Sequence, residues 1–302
     1  MAPTLDDLVQ RVQRQLLGPT LNQETVTELA ADLAADDITF TVDPTDLRSI
    51  ARGVVEIDDE LLLVRSYDTT SGVVTVMGGA RGRGYAGTTA APHAAGSLVT
   101  TAPAYARQVV KDALADTVMT LYPDLVVFGE TEIVKTSVVW EYEMPSEAED
   151  VWYVTGSTIG PTRVWMPLQN WRFNPDAATS AFPSGKSIQL LDEIVPGRTY
   201  RVVYAKRPQL LVSGADDWSL TGYPDSVAEV AVWGACARLV TTYEAARLQQ
   251  RAVESVERSK IVGPQSALRT AAYYQELYAQ ALEREKARQF SEMPSYQNYQ
   301  GS

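Results

Sequence analysis

Val54-Val55-Glu56-Ile57 and Leu61-Leu62-Leu63-Val64 stand on either side of Asp58-Asp59, and Gly72-Val73-Val74-Thr75-Val76 follows a short polar stretch. Runs of four or five β-branched and aliphatic residues, broken by turn formers, read as strands. Ile38-Thr39-Phe40-Thr41-Val42 upstream alternates with a period of two, and Ser97-Leu98-Val99-Thr100 adds another run downstream. Several short strands with glycine-rich turns predict a small barrel or sandwich over residues 37–102.

On both sides of this module the period changes to that of a helix. Leu5, Leu8, Val9, Val12 and Leu16 form a stripe over 5–17 that Gly18-Pro19 ends, and 25–35 reads as a second, looser helical stretch. Val109, Val110, Ala113, Leu114, Val118 and Leu121 share one face of a helix over 105–121, bounded by Pro103 and Pro123. Strand signals return from Val126 to Arg207, with candidates at 134–140, 151–154, 164–166, 187–191 and 200–204. Turn signals every ten or so residues there predict a β-sandwich.

Residues 224–261 then read as one long helix, started by Pro224 and stopped by Gly263-Pro264. Its first half is apolar nearly all round, and its second half keeps only Leu248, Ala252 and Val256 as a stripe. Ala267, Ala271, Tyr274, Tyr278 and Ala281 give 265–290 the narrow seam of a hairpin partner. Residues 291–302 have no periodicity and form a tail carrying Met293, Tyr296 and Tyr299.

The expected architecture is α+β: a helical core with two inserted β barrel or sandwich modules. The core comprises a short N-terminal helix, a central helix and a long C-terminal helical hairpin. In segments, 1–36 is helical, 37–102 the first β module, 103–122 a core helix, 123–212 the second β module, 223–290 the hairpin and 291–302 the tail.

The chemistry is sparse. A net charge of −12 over 302 residues argues against a protein built to grip nucleic acid, which needs clustered lysine and arginine. The single cysteine, Cys236, lies in an apolar run and reads as a small buried hydrophobe. One histidine, His93, is too few for a polyhistidine metal site, and its place in Pro92-His93-Ala94-Ala95-Gly96 reads as a turn residue with a local hydrogen bond. No signal peptide or run of about 18 apolar residues appears, so synthesis as a soluble protein in a cytoplasm is expected. Gly79 and Gly84 have phosphate-loop spacing, but Tyr85 stands where lysine is required; Gly185-Lys186-Ser187 lacks the earlier glycine. Trp140, Trp152, Trp165 and Trp171 could stack on sugar, though strand tryptophans more often fill a sandwich core. No catalytic, cofactor or metal site is expected. Arg81, Arg83 and Tyr85, in the glycine-rich loop 78–96, are candidates for contacts between subunits.

The stretch Arg83-Gly84-Tyr85-Ala86-Gly87-Thr88-Thr89-Ala90-Ala91-Pro92-His93-Ala94-Ala95-Gly96 resembles a β module of tailed-phage virion proteins with an RGxxGTxAxxHxxG signature. The order of helices around it is similar to that of the head-to-tail connector (adaptor) family of tailed bacteriophages. This resemblance implies a structural virion protein of the neck: a homo-oligomeric ring of twelve copies docked under the portal protein. It implies contact with a downstream neck or tail connector protein, and a lumen through which DNA passes during ejection without sequence-specific binding. It also implies a role for the tail, with Met293, Tyr296 and Tyr299 docking to the portal. The alternative is another neck or baseplate structural protein, and after that a carbohydrate-binding virion module.

Overall fold

The computed structural model describes residues 2–18, 25–42, 53–136, 139–158, 164–191, 196–251 and 266–291. Helix α1 (Leu5–Leu17) starts at a reciprocal cap: the Thr4 hydroxyl accepts from the Asp7 backbone N–H, and the Asp7 carboxylate accepts from the Thr4 N–H. The predicted stripe is its buried face, with Leu5, Leu8, Val9 and Val12 inside.

Six strands follow: β1 (Thr25–Glu28), β2 (Thr39–Thr41), β3 (Gly53–Ile57), β4 (Glu60–Tyr67), β5 (Val73–Val76) and β6 (Leu98–Thr101). They form one antiparallel sheet in the order β1-β6-β3-β4-β5-β2. The sheet curls part-way into a barrel. Leu29, just past β1, bridges Val42, just past β2, so the two edges approach each other. Val55, Ile57, Leu62, Val74 and Val99 fill the interior and are fully buried. Strand β1 corrects the helical reading of 25–35. Its threonines and valine pair along β6, from Thr25 opposite Thr101 to Glu28 opposite Leu98.

Helix α2 (Arg107–Leu121) leads to seven more strands: β7 (Val127–Val134), β8 (Glu141–Glu143), β9 (Asp150–Ser157), β10 (Trp165–Leu168), β11 (Trp171–Asn174), β12 (Ser187–Leu190) and β13 (Thr199–Lys206). They make a four-stranded sheet, β10-β9-β13-β7, and a three-stranded sheet, β11-β12-β8, both antiparallel. Val154, Ile188, Leu190, Tyr200 and Val202 lie in their common core. Tyr204 faces Gly129 and Tyr200 faces Gly156 across the strands, each ring covering the glycine where a Cβ would strike it.

Helices α3 (Val227–Arg251) and α4 (Ser266–Ser291) complete the described chain. The predicted continuation of α3 through 252–261 lies outside the described residues. All four helices contribute to a third apolar cluster, together with Trp218, which is fully buried and donates its indole N–H to the Pro224 carbonyl at 3.0 Å. No helix among the described residues is long and apolar enough to cross a membrane.

The expectation of a helical adaptor core with inserted β modules is therefore corrected. The described residues form a mostly β protein of thirteen strands in three antiparallel sheets, one curled into a partial barrel, against four α-helices. The physical reason lies in the cores. The barrel sheet and the sandwich each bury an apolar cluster of their own, distinct from the helical one. Sheets with private cores are organising units, not decorations on a helical frame.

Candidate functional site

The alternation of β4 sets the site. Leu62 and Val64 point into the barrel, and a period of two puts Glu60 on the same inward face, where its side chain is 1% exposed. A carboxylate held there requires partners, because burying an unpaired charge costs several kcal/mol, on the order of a domain's net stability.

Loop 78–96 supplies them. Arg83 faces Glu60 as a two-pronged pair, Nε to Oε1 at 2.7 Å and Nη2 to Oε2 at 2.8 Å. Its remaining N–H groups go to carbonyls: Nη1 to Ala34 at 2.6 Å and Asp37 at 3.0 Å, Nη2 also to Ala91 at 2.6 Å. All five donors of the guanidinium are used within the chain. Glu60 also accepts the backbone N–H of Gly84 at 2.8 Å and of Ala91 at 3.0 Å.

His93 closes the network. Nε2 meets Glu60 Oε2 at 2.9 Å and Nδ1 meets Asp58 Oδ2 at 2.7 Å. Both partners are carboxylates, so both ring nitrogens donate and the imidazolium is the form that fits. Burial opposes that charge, but its hydrogen bonds to Glu60 and Asp58 and their negative charges overcome it and raise the His93 pKa above its ordinary 6.5. Burial likewise opposes ionisation of Glu60, and the hydrogen bonds from Arg83, His93, Ala91 and Gly84 overcome it, holding this carboxyl far below its ordinary range. Two carboxylates and two cations balance.

Local backbone allows this. Gly84 sits at φ +61°, and a Cβ there would lie 2.8 Å from the Thr88 carbonyl oxygen, so glycine is required. Thr88 ties the loop back to the sheet: its hydroxyl accepts the Leu61 N–H at 3.0 Å and donates to the Tyr85 carbonyl at 2.9 Å. Asp58 takes φ +52° in the tight β3–β4 turn, a conformation that aspartate tolerates.

The second aspartate of the turn serves another connection. Asp59 accepts from Lys111 Nζ at 2.7 Å and from Arg107 Nε at 3.1 Å, both on α2, and Arg107 also reaches Asp6 of α1. Burial resists the charge on Asp59, but these two cations and their hydrogen bonds hold its pKa below the ordinary 3.8. Ala106, the N-cap of α2, makes no side-chain cap; instead Glu56 of β3 accepts the Arg107 backbone N–H. A carboxylate at a helix N-terminus also meets the positive end of its dipole. Asp58-Asp59 is thus a turn, as read, and also a junction between the loop, the barrel sheet and the helices.

The sequence candidates are distributed as follows. Arg83 is turned inward, and its five donors are used within the chain. Arg81 is exposed, and Tyr85 is half-buried with its carbonyl engaged by Thr88. His93 is buried and reaches across more than thirty residues, correcting its reading as a locally bonded turn histidine. Met293, Tyr296 and Tyr299 lie outside the described residues. Neither phosphate-loop candidate has a strand–loop–helix setting: Gly79–Arg81 is a single 3-10 turn, and Ser187 begins β12. Of the four tryptophans, Trp171 packs against the sandwich core, Trp152 stacks edge-on with Phe128, Trp165 lies under Arg201, and Trp140 is exposed. Cys236 is fully buried, and burial pushes its thiol up to about 12. No group of three or more metal-ligating side chains occurs among the described residues.

No protein-family model matches the chain, and no curated protein is similar to it.

Proposed function

We propose that this chain is a structural subunit of a tailed-phage particle, the head-to-tail adaptor that forms a ring under the portal. The observation that carries the reading is the use made of the signature residues. Arg83, Gly84, Thr88 and His93 are all consumed in a closed network that clamps a loop onto a sheet. A general base needs a ring nitrogen or carboxylate oxygen within reach of a substrate proton. Here both histidine nitrogens and both Glu60 oxygens are occupied from within. The motif is architectural, which is what a load-carrying shell or neck protein requires. Its partners in this reading are other copies of itself, the portal protein and a downstream neck protein, with DNA passing an acidic surface that does not hold it.

The many strands favour one second reading, another neck or baseplate structural protein of the same kind of particle. Locating the chain in images of intact tailed particles separates the two. The adaptor reading expects a ring of density between portal and tail. Density elsewhere in the tail supports the second reading. Absence from the particle, or a hydrolytic activity lost in a folded His93→Gln variant, overturns both.

A further inference from the structure

We propose that an ionic latch holds the barrel sheet to the helices, and that the barrel turns about Pro103-Ala104 when the latch is broken while the sandwich stays fixed. This goes beyond the adaptor reading and does not depend on it.

The two β units are attached to the helices in different ways. Val127, the first residue of β7, belongs to the helical apolar cluster, and its side chain lies where a Cβ on Gly222 would strike it. Beside it, Gln289 of α4 exchanges two hydrogen bonds with Val126: Nε2 donates to the carbonyl at 2.8 Å, and Oε1 accepts the N–H at 3.2 Å. The sandwich is rooted in apolar packing, which salt does not screen.

The barrel sheet has no such root. Among the described residues, none of its core side chains belongs to the helical cluster or packs against it. Its tie lies at the β3–β4 turn. Asp59 meets Lys111 Nζ at 2.7 Å and Arg107 Nε at 3.1 Å, and Glu56 accepts the backbone N–H of Arg107. From α1, Asp6 faces the same two cations, bonding Arg107 and standing 3.8 Å from Lys111 Nζ. Two carboxylates, one from the barrel and one from α1, thus share two cations of α2. Both carboxylates are nearly half exposed, Asp59 at 47% and Asp6 at 45%. Partly exposed ion pairs are individually weak, and salt weakens them further. Opening also leaves neither cation of α2 far from a carboxylate, because Asp6 stays with them.

The connection from β6 to α2 is divided between the two units. The Ala102 N–H donates to the Val54 carbonyl at 2.9 Å, which keeps Ala102 with the barrel. Tyr105 packs against the helical cluster, and its carbonyl accepts from Gln13 of α1 at 3.0 Å. Pro103 and Ala104 stand between them. A unit with its own core keeps its fold when it leaves its neighbour. Two such units move relative to one another unless a large apolar interface joins them.

The test uses the full chain with spin labels on introduced cysteines at exposed positions. These are Thr69→Cys beyond β4, Ser180→Cys in the sandwich and Ala279→Cys on α4. Cys236 is fully buried, with its thiol pushed up to about 12, so it stays unlabelled. Labelled chains are diluted into unlabelled ones, so that double electron–electron resonance reads distances within one chain. In the parent at low salt, the 69–279 and 180–279 distances should both be narrowly distributed. In Asp59→Ala the 69–279 distribution should widen about twofold, with 180–279 and circular dichroism unchanged. Raising salt to about 1 M should widen 69–279 in the parent in the same way. Should Asp59→Ala lose its fold, Arg107→Gln removes the same contact from the other side. A 69–279 distribution that stays narrow in a folded variant overturns the latch. So does a widening of both distances together, which would place the loosening in the helices.

Discussion

Arg83 and Lys135 are both buried cations, and their surroundings differ completely. Arg83 has a carboxylate and three carbonyls around it and no donor left over. Lys135 has an aromatic face and no acceptor among the described residues. The first is committed inward and holds the barrel sheet to its loop. The second is buried beneath the Trp140 ring. A buried charge therefore has no fixed meaning: its hydrogen-bond count decides whether it stabilises the fold or weighs against it.

Glu60→Ala should break the inward region most severely. It strands Arg83 and His93 together with the N–H groups of Gly84 and Ala91, at a cost of about 5 kcal/mol, comparable to the stability of a small domain. Urea unfolding should show the barrel sheet lost or melting well before the rest. Arg83→Met leaves one buried carboxylate with fewer partners and should cost about 3 kcal/mol by the same measurement.

Acidity sharpens the comparison. The His93 pKa is raised, so its contribution is fully present below pH 6.5 and is lost as pH rises through its folded value. The pKa values of Glu60 and Asp59 are lowered from 4.5 and 3.8, so their contributions are present above those values and are lost as pH falls through the folded ones. Barrel stability should hold from about pH 4.5 to 6.5 and decline at alkaline pH. His93→Gln should cost about 1–2 kcal/mol at pH 6 and flatten the alkaline decline. Lys135→Met should have the smallest effect and the opposite sign. Replacing an ammonium that lacks an acceptor by an apolar chain of similar length should stabilise the isolated chain by roughly 1 kcal/mol.

Much of the site was legible, though not its partners. The signature from Arg83 to Gly96 marks a structural loop, and the glycines mark where only glycine fits. Glu60 belongs to the same network from 23 residues away, and only the β3–β4 hairpin brings it there. The signal for it existed: a carboxylate in period-two register with Leu62 and Val64 must face inward and must be paired. Helix α1 was plain because its apolar stripe and the Gly18-Pro19 stop agree. Strand β1 was not, because Ala30-Ala31-Asp32-Leu33-Ala34 downstream carries helix propensity while the pairing of 25–28 with β6 is long-range. The mostly β organisation was hidden for a related reason. Short strands such as β8 and β11 have three or four residues and no periodicity to announce them, whereas long helices dominate any reading of pattern.

A comparison of Arg83→Met with Lys135→Met tests the distinction between a satisfied and an unsatisfied buried cation most directly, with unfolding free energy measured on both. Arg83→Met should lose about 3 kcal/mol of stability. Lys135→Met should gain roughly 1 kcal/mol. The reverse pattern, with Arg83→Met as stable as the parent and Lys135→Met less stable, would contradict the account.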